Sequence, residues 1–91
     1  KYKNKILNIH PSLLPKYKGL NTHKRVILNK ENFTGCTVHL VNYKLDSGKI
    51  ILQKKIKVLK KDNEKTLALR LLKIENKLYP MAVKKFITTN L

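Results

Sequence analysis

The chain is poor in the residues that most often mark a function. In 91 residues it has one cysteine, no tryptophan, two phenylalanines, three glycines, three prolines and five acidic residues. A single cysteine excludes an internal disulfide and suits a reducing compartment. Cys36 lies inside an alternating apolar pattern and reads as a small buried thiol. No apolar run approaches the roughly 20 residues of a membrane-spanning helix, and no basic-then-apolar leader opens the chain, so no membrane association and a cytoplasmic location are expected. His10, His23 and His39 lack the paired spacing of a zinc motif, so no metal site is expected either. Internal repeats and low-complexity segments are absent.

What is abundant is lysine. The formal net charge is +16, and 19 of the 21 basic residues are Lys. Such a charge attracts polyanions, but the lysines are scattered through every segment, whereas base readout and phosphate forks favour arginine. The accompanying wealth of Asn and Ile points instead to drift toward AT-rich codons, and nucleic-acid binding is not expected. A chain of this length hides only about 60 % of its unfolded surface, so its core is marginal in isolation.

The apolar run Ile6, Leu7, Ile9 has the look of a short buried strand of the parallel type, ended by Pro11. It resembles an interior strand, and the chain opens at Lys1 without methionine; further sequence is expected before it. Two prolines, Ser12 and Gly19 then predict an ordered, irregular loop over 11–21. Asn21 or Thr22 can cap a short helix over 23–30. Strand periodicity follows over 35–41. A second strand over 49–58 has Ile50, Leu52, Ile56 and Val58 on one face and Gln53, Lys55 and Lys57 on the other, a lysine-protected edge. The short link between these strands favours an antiparallel pair. Asp62 or Asn63 can cap a helix with Leu67, Leu71, Ile74 and Leu78 as its apolar stripe. Pro80 is expected to break or kink it, with 81–86 as a second piece. The class is α/β, with too few strands to close a doubly wound sheet.

The densest chemistry is Asn8-Ile9-His10-Pro11-Ser12-Leu13-Leu14-Pro15. On an extended segment Asn8 and His10 point to one side, so a carboxamide and an imidazole converge at a strand end. Each taken singly is ordinary: Asn forms turns and His is often a satisfied core residue. Asp46, in Leu45-Asp46-Ser47-Gly48, has a turn context too, but acidic residues are few here.

NIHPSLLPKYKGL over 8–20, followed by Asn21-Thr22-His23, resembles the signature region of the glycinamide ribonucleotide formyltransferases. The likeness continues through Gly35-Cys36-Thr37-Val38-His39, through Leu45-Asp46-Ser47-Gly48 with residues 50–53, and through 75–80. It implies that residues 1–91 form one unit, the C-terminal half of a formyltransferase domain: part of its sheet with helices on the faces, incomplete without an N-terminal nucleotide-binding half. It also implies formyl transfer from 10-formyltetrahydrofolate, the co-substrate, to the amine of glycinamide ribonucleotide in purine synthesis, with little activity from this piece alone. Asn8, His10 and Asp46 would be the catalytic trio. Asn8 and a protonated His10 would stabilise the formyl oxygen as it gains charge, while Asp46 would stabilise that imidazolium and help move the amine proton. Ile6, Val41, Asn42, Tyr43 and Asp46 would line the folate pocket, Glu75 would approach the substrate ribose, and His39 would at most support the site from a neighbouring strand. Partners would be the missing half or a second copy recruited at an open sheet edge. Three positions depart from the family pattern: Asn21 for His, Lys49 for Pro and Asn76 for His. Two other readings stay open, a formyltetrahydrofolate deformylase or methionyl-tRNA formyltransferase of the same superfamily, and a non-catalytic basic remnant that binds anions or nucleic acid.

Overall fold

A computed structural model describes residues 6–42, 44–46 and 48–89. The elements run β1 (Leu7–His10), α1 (Thr22–Leu28), β2 (Phe33–Leu40), β3 (Ile50–Lys57) and α2 (Glu64–Thr89). The element order read from the sequence holds, with the short helix and both later strands displaced by one or two residues. The three strands form one sheet in the order β1-β2-β3, antiparallel throughout. β1 therefore corrects the parallel-type reading: its apolar residues are covered on one face only, and a four-residue run is too short for alternation to separate the two cases.

Register assigns the faces, because residues directly opposed in an antiparallel pair lie on the same side. Ile9 opposes Val38, and Asn8 opposes His39. Cys36 and Val38 pack with Leu78 and Ala82 of α2, joined by Leu7, Ile9, Ile51, Leu52 and Ile74. That is the α2 face; Asn8, His10, Thr37 and His39 belong to the other. A register irregularity between Val38 and His39 sets Val38 against Leu52 but His39 against Ile50. The extra residue on β3 reverses the facing of its first turn, so Ile51 joins the core while Ile50 stays exposed, correcting the face predicted for Ile50.

α2 begins as its sequence suggests. Asn63 Oδ1 accepts from the Thr66 N–H at 2.9 Å and Thr66 Oγ1 accepts from the Asn63 N–H at 3.0 Å, a reciprocal cap. Arg70 Nη1 donates to both carboxylate oxygens of Asp62, at 2.9 and 2.8 Å. Of the break or kink expected at Pro80, the break does not occur: α2 is helical across it, as one element of 26 residues. Proline costs the helix one hydrogen bond and some crowding, but the buried stripe continues through Leu78, Ala82 and Phe86 on both sides, and that packing keeps the helix continuous.

The prolines of the 11–21 loop lay it against the face opposite α2, where buried Thr37 receives it. The Thr37 hydroxyl donates to the Ser12 carbonyl at 2.7 Å and accepts from the Leu14 N–H at 3.1 Å and from the Gln53 amide at 2.9 Å. The same Gln53 amide nitrogen donates to the Leu14 carbonyl at 2.8 Å. One hydroxyl and one carboxamide thus satisfy the Ser12–Leu14 stretch of a loop that has no ladder of its own. Among the described residues no helix is long and apolar enough to cross a membrane.

Candidate functional site

The loop between β2 and β3 folds back over the same face. It turns tightly enough that a Cβ on Gly48 would drive into the Leu40 carbonyl oxygen, so only glycine fits there. Asp46 itself adopts a left-handed φ of 48°, which a short polar side chain tolerates better than most. Its carboxylate then lies inward, with 8 % of the side chain exposed. Oδ2 accepts the Gly19 N–H at 2.7 Å and stands 3.4 Å from His10 Nδ1; Oδ1 stands 3.7 Å from His39 Nε2. One carboxylate joins the 11–21 loop, β1 and β2.

His10 is buried and engaged at both nitrogens. Nε2 lies 2.7 Å from the Tyr17 carbonyl oxygen, which can only accept, so Nε2 carries a hydrogen. Nδ1 faces Asp46, a contact that is attractive only with a proton between the two. His39 is built the other way round. Its Nδ1 donates to the Leu40 carbonyl at 3.1 Å, and its buried Nε2 has no hydrogen-bond partner.

A cavity of about 300 Å³ opens beside this cluster, lined by Asn8, His39, Val41, Asn42, Lys44, Leu45 and Asp46. Asn8 is exposed toward it, since strand alternation turns it to the face of His10 and register sets it against His39. The structure thus brings Asn8, His10 and Asp46 together, with Val41 and Asn42 in the wall. Ile6 is not in the lining; its carbonyl accepts the Val41 N–H at 2.8 Å. Tyr43 lies outside the described residues. Glu75 is not in the lining; it is half-buried on α2 near Cys36, and desolvation raises its carboxyl above the ordinary range. Among the described residues no three His, Cys, Asp or Glu side chains are grouped to hold a metal ion.

Sequence reasoning missed Gly19 and Thr37, and gave His39 only a supporting place. The phase of β2 alone puts Thr37 and His39 on the face opposite Cys36, but which strand residues they meet depends on a register that the sequence does not display. His23, on α1, has its imidazole pKa lowered by burial and by His10, against a raising influence of Glu64.

A family model described as formyl transferase matches residues 1–83. Phosphoribosylglycinamide formyltransferase of Haemophilus influenzae is 45 % identical over 86 residues, which are 94 % of this chain and 41 % of that protein. The human trifunctional purine biosynthetic protein adenosine-3 is 45 % identical over 83 residues, 91 % of this chain and 8 % of that one. Among solved structures, phosphoribosylglycinamide formyltransferase from Bacillus halodurans superposes with a TM-score of 0.90 at 34 % identity, over 99 % of this chain and 46 % of its own. The chain therefore spans under half the length of these relatives.

Proposed function

The chain belongs to the formyl transferase family, and on that premise we propose that it supplies the acid-base part of a site that moves a formyl group from 10-formyltetrahydrofolate to the amine of glycinamide ribonucleotide. Residues 1–91 are, in this reading, the C-terminal half of the transferase domain, working with the part of the relatives that they do not span. The observation that carries the reading is the buried Asp46 carboxylate that stands between two imidazoles beside Asn8, at the wall of a cavity.

When the amine attacks the formyl carbon, the carbonyl oxygen gains negative charge and the amine nitrogen gains positive charge. The Asn8 amide, exposed in the cavity, donates to that oxygen. Asp46 is the group of the trio that both reaches the cavity and can accept a proton, so it takes the proton from the amine, directly or through one water. Asp46 hands that proton on to the folate nitrogen as it leaves; His10, with its two nitrogens turned to the Tyr17 carbonyl and to Asp46, steadies the carboxylate, and the oxyanion-donor role that the resemblance implied for it falls to Asn8. Charge is thus neutralised where it forms, in a cluster shielded from bulk water. Val41, Leu45 and Asn42 offer the folate an apolar wall with one carboxamide; for Ile6 and Tyr43 the assignment to the folate rests on the resemblance. For Glu75 the assignment to the substrate ribose rests on the resemblance.

Asn8→Ala is expected to lower kcat by about 100-fold or more with little change in KM, because the donor is used only as charge develops. Equal loss in KM alone would make Asn8 a binding residue. Measuring transfer to glycinamide ribonucleotide, to methionyl-tRNA and to water in parallel separates the proposed acceptor from those of the related enzymes.

A further inference from the structure

We propose that Glu31 is a positioning residue: by tethering the hydroxyl of Tyr17 it keeps that residue's carbonyl at His10 Nε2, and so sets the imidazole against Asp46. The inference deepens the proposed reaction, in which His10 steadies the Asp46 carboxylate, and rests on that reading for its meaning, though not for its test.

Three observations carry it. First, the Tyr17 carbonyl oxygen is the acceptor that fixes the His10 ring, 2.7 Å from Nε2, and Tyr17 offers it from a left-handed backbone with φ 56°. For a bulky aromatic residue that conformation is costly and persists only where its surroundings hold it. A return of Tyr17 to negative φ turns the peptide that follows and carries the carbonyl away from the ring. Second, the Tyr17 side chain is held at its far end. Its hydroxyl donates to Glu31 Oε2 at 2.6 Å, the length of a bond to a charged acceptor. The phenol pKa is raised accordingly, first by that hydrogen bond, then by desolvation and by the Glu31 charge, against lowering by Asn29 and Arg25. Arg25 adds its guanidinium over the ring, 5.5 Å from the centroid, and a hydrogen bond to the Lys18 carbonyl. Third, Glu31 is itself on fixed backbone. Its N–H donates to the Val26 carbonyl at 3.3 Å, in the last turn of α1, and the neighbouring Asn32 carbonyl accepts the Val58 N–H at 2.8 Å, just past the end of β3.

The tether therefore runs from a rigid corner to a loop residue under strain. Glu31 lines a cavity of about 430 Å³ that is separate from the one lined by Asn8 and Asp46, so it reaches the site through Tyr17. The Lys16 ammonium stands 3.8 Å from the other Glu31 oxygen but is 66 % exposed, and such a pair contributes little.

The His10 Nε2–H proton reports on the tether without catalysis, because it exchanges only when its bond to Tyr17 opens. Its exchange with water is read by NMR in the isotope-labelled 91-residue chain, with the Val38 amide in the sheet reporting retention of the fold. Tyr17→Phe removes the hydroxyl alone, Glu31→Leu removes the acceptor, and Glu31→Gln keeps an acceptor oxygen at the same reach. Exchange at His10 is expected to accelerate about tenfold or more in Tyr17→Phe and in Glu31→Leu, the size of one hydrogen bond to a charged group. In Glu31→Gln it is expected to stay within about threefold of the parent, with Val38 unchanged in all three variants. His10 exchange unmoved in Tyr17→Phe and Glu31→Leu overturns the proposal, since the tether would then not reach the ring. Val38 exchange that accelerates in step with His10 overturns it as well, by making the contact a brace of the fold at large. Glu31→Gln as fast as Glu31→Leu is the third contrary result, because the hydroxyl would then not be what Glu31 holds. A chain that shows the His10 response but transfers no formyl group when joined by the remainder of the domain would refute the reaction and keep the tether.

Discussion

Thr37 concentrates more of the local structure than any residue of the trio. Its hydroxyl holds Ser12, Leu14 and Gln53, so Thr37→Val, which keeps shape and strand preference, leaves a buried carbonyl and a buried N–H unpaired. A loss of about 1–3 kcal/mol is expected in urea unfolding, with Gln53→Leu smaller because Thr37 can still serve the loop. Cys36 is the opposite case, a residue whose chemistry the fold switches off. Burial, with the Glu75 carboxylate adding to it, pushes its thiol up to about 11, and the thiolate is the reactive form. Alkylation at pH 8 is therefore expected to be slow in the folded chain and to reach free-thiol rates only in denaturant; native-state labelling at the free rate would contradict this burial.

At Asp62, burial by itself would raise the carboxyl, but the Leu59 N–H, Arg70 and Thr66 outweigh it and the pKa is lowered. A depressed carboxyl contributes stability that is present above the ordinary carboxylate range and is lost as pH falls through the folded-state value. Below about pH 4 the parent chain should therefore lose stability more steeply than Asp62→Asn, which lacks the contribution at neutral pH already. Parallel acid limbs would mean that the Arg70 contact does not couple to folding.

Among the elements, α2 was the most legible. Its stripe of Leu67, Leu71, Ile74 and Leu78 and its cap at Asn63 depend on neighbours within one or two turns, and such local terms are written in the sequence. Pro80 was misread for the same reason: the local rule was right about its cost, and the sheet packed beneath Leu78, Ala82 and Phe86 outweighed it. Pro80→Ala is accordingly expected to stabilise the chain, by up to about 3 kcal/mol, and an unchanged melting temperature would show that the helix has already relaxed around the proline. The strands were legible in phase, and the antiparallel β2–β3 pair followed from their short link, but the pairing of β1 and the register were not. Alternation placed His39 and Thr37 on one face and Cys36 and Val38 on the other, while the antiparallel setting of β1 and the irregularity that exchanges Ile50 for Ile51 are long-range matters of register. The same limit applies to the site. Asn8, His10 and Asp46 were found through a resemblance and through short-range geometry, whereas the contacts of Asp46 with Gly19 and His39 span the fold and no local pattern announces them.

For the molecule as a whole, two features point past the chain's own contacts. β1 pairs with β2 alone among the described residues, and Leu69, Leu72 and Tyr79 of α2 are exposed although α2 already buries one apolar stripe. The chain also spans 41 % of its Haemophilus relative. The proposed transfer site is accordingly one that needs the remainder of the domain, and its chemistry is to be tested with that remainder present. The most direct measurement is formyl transfer from 10-formyltetrahydrofolate to glycinamide ribonucleotide by this chain combined with the segment of a relative that it does not span, compared with the same mixture carrying His10→Ala or Asp46→Asn. The account predicts transfer by the parent mixture and a fall of about 100-fold or more in either variant. Variants that match the parent, or halves that associate and transfer nothing, would contradict it.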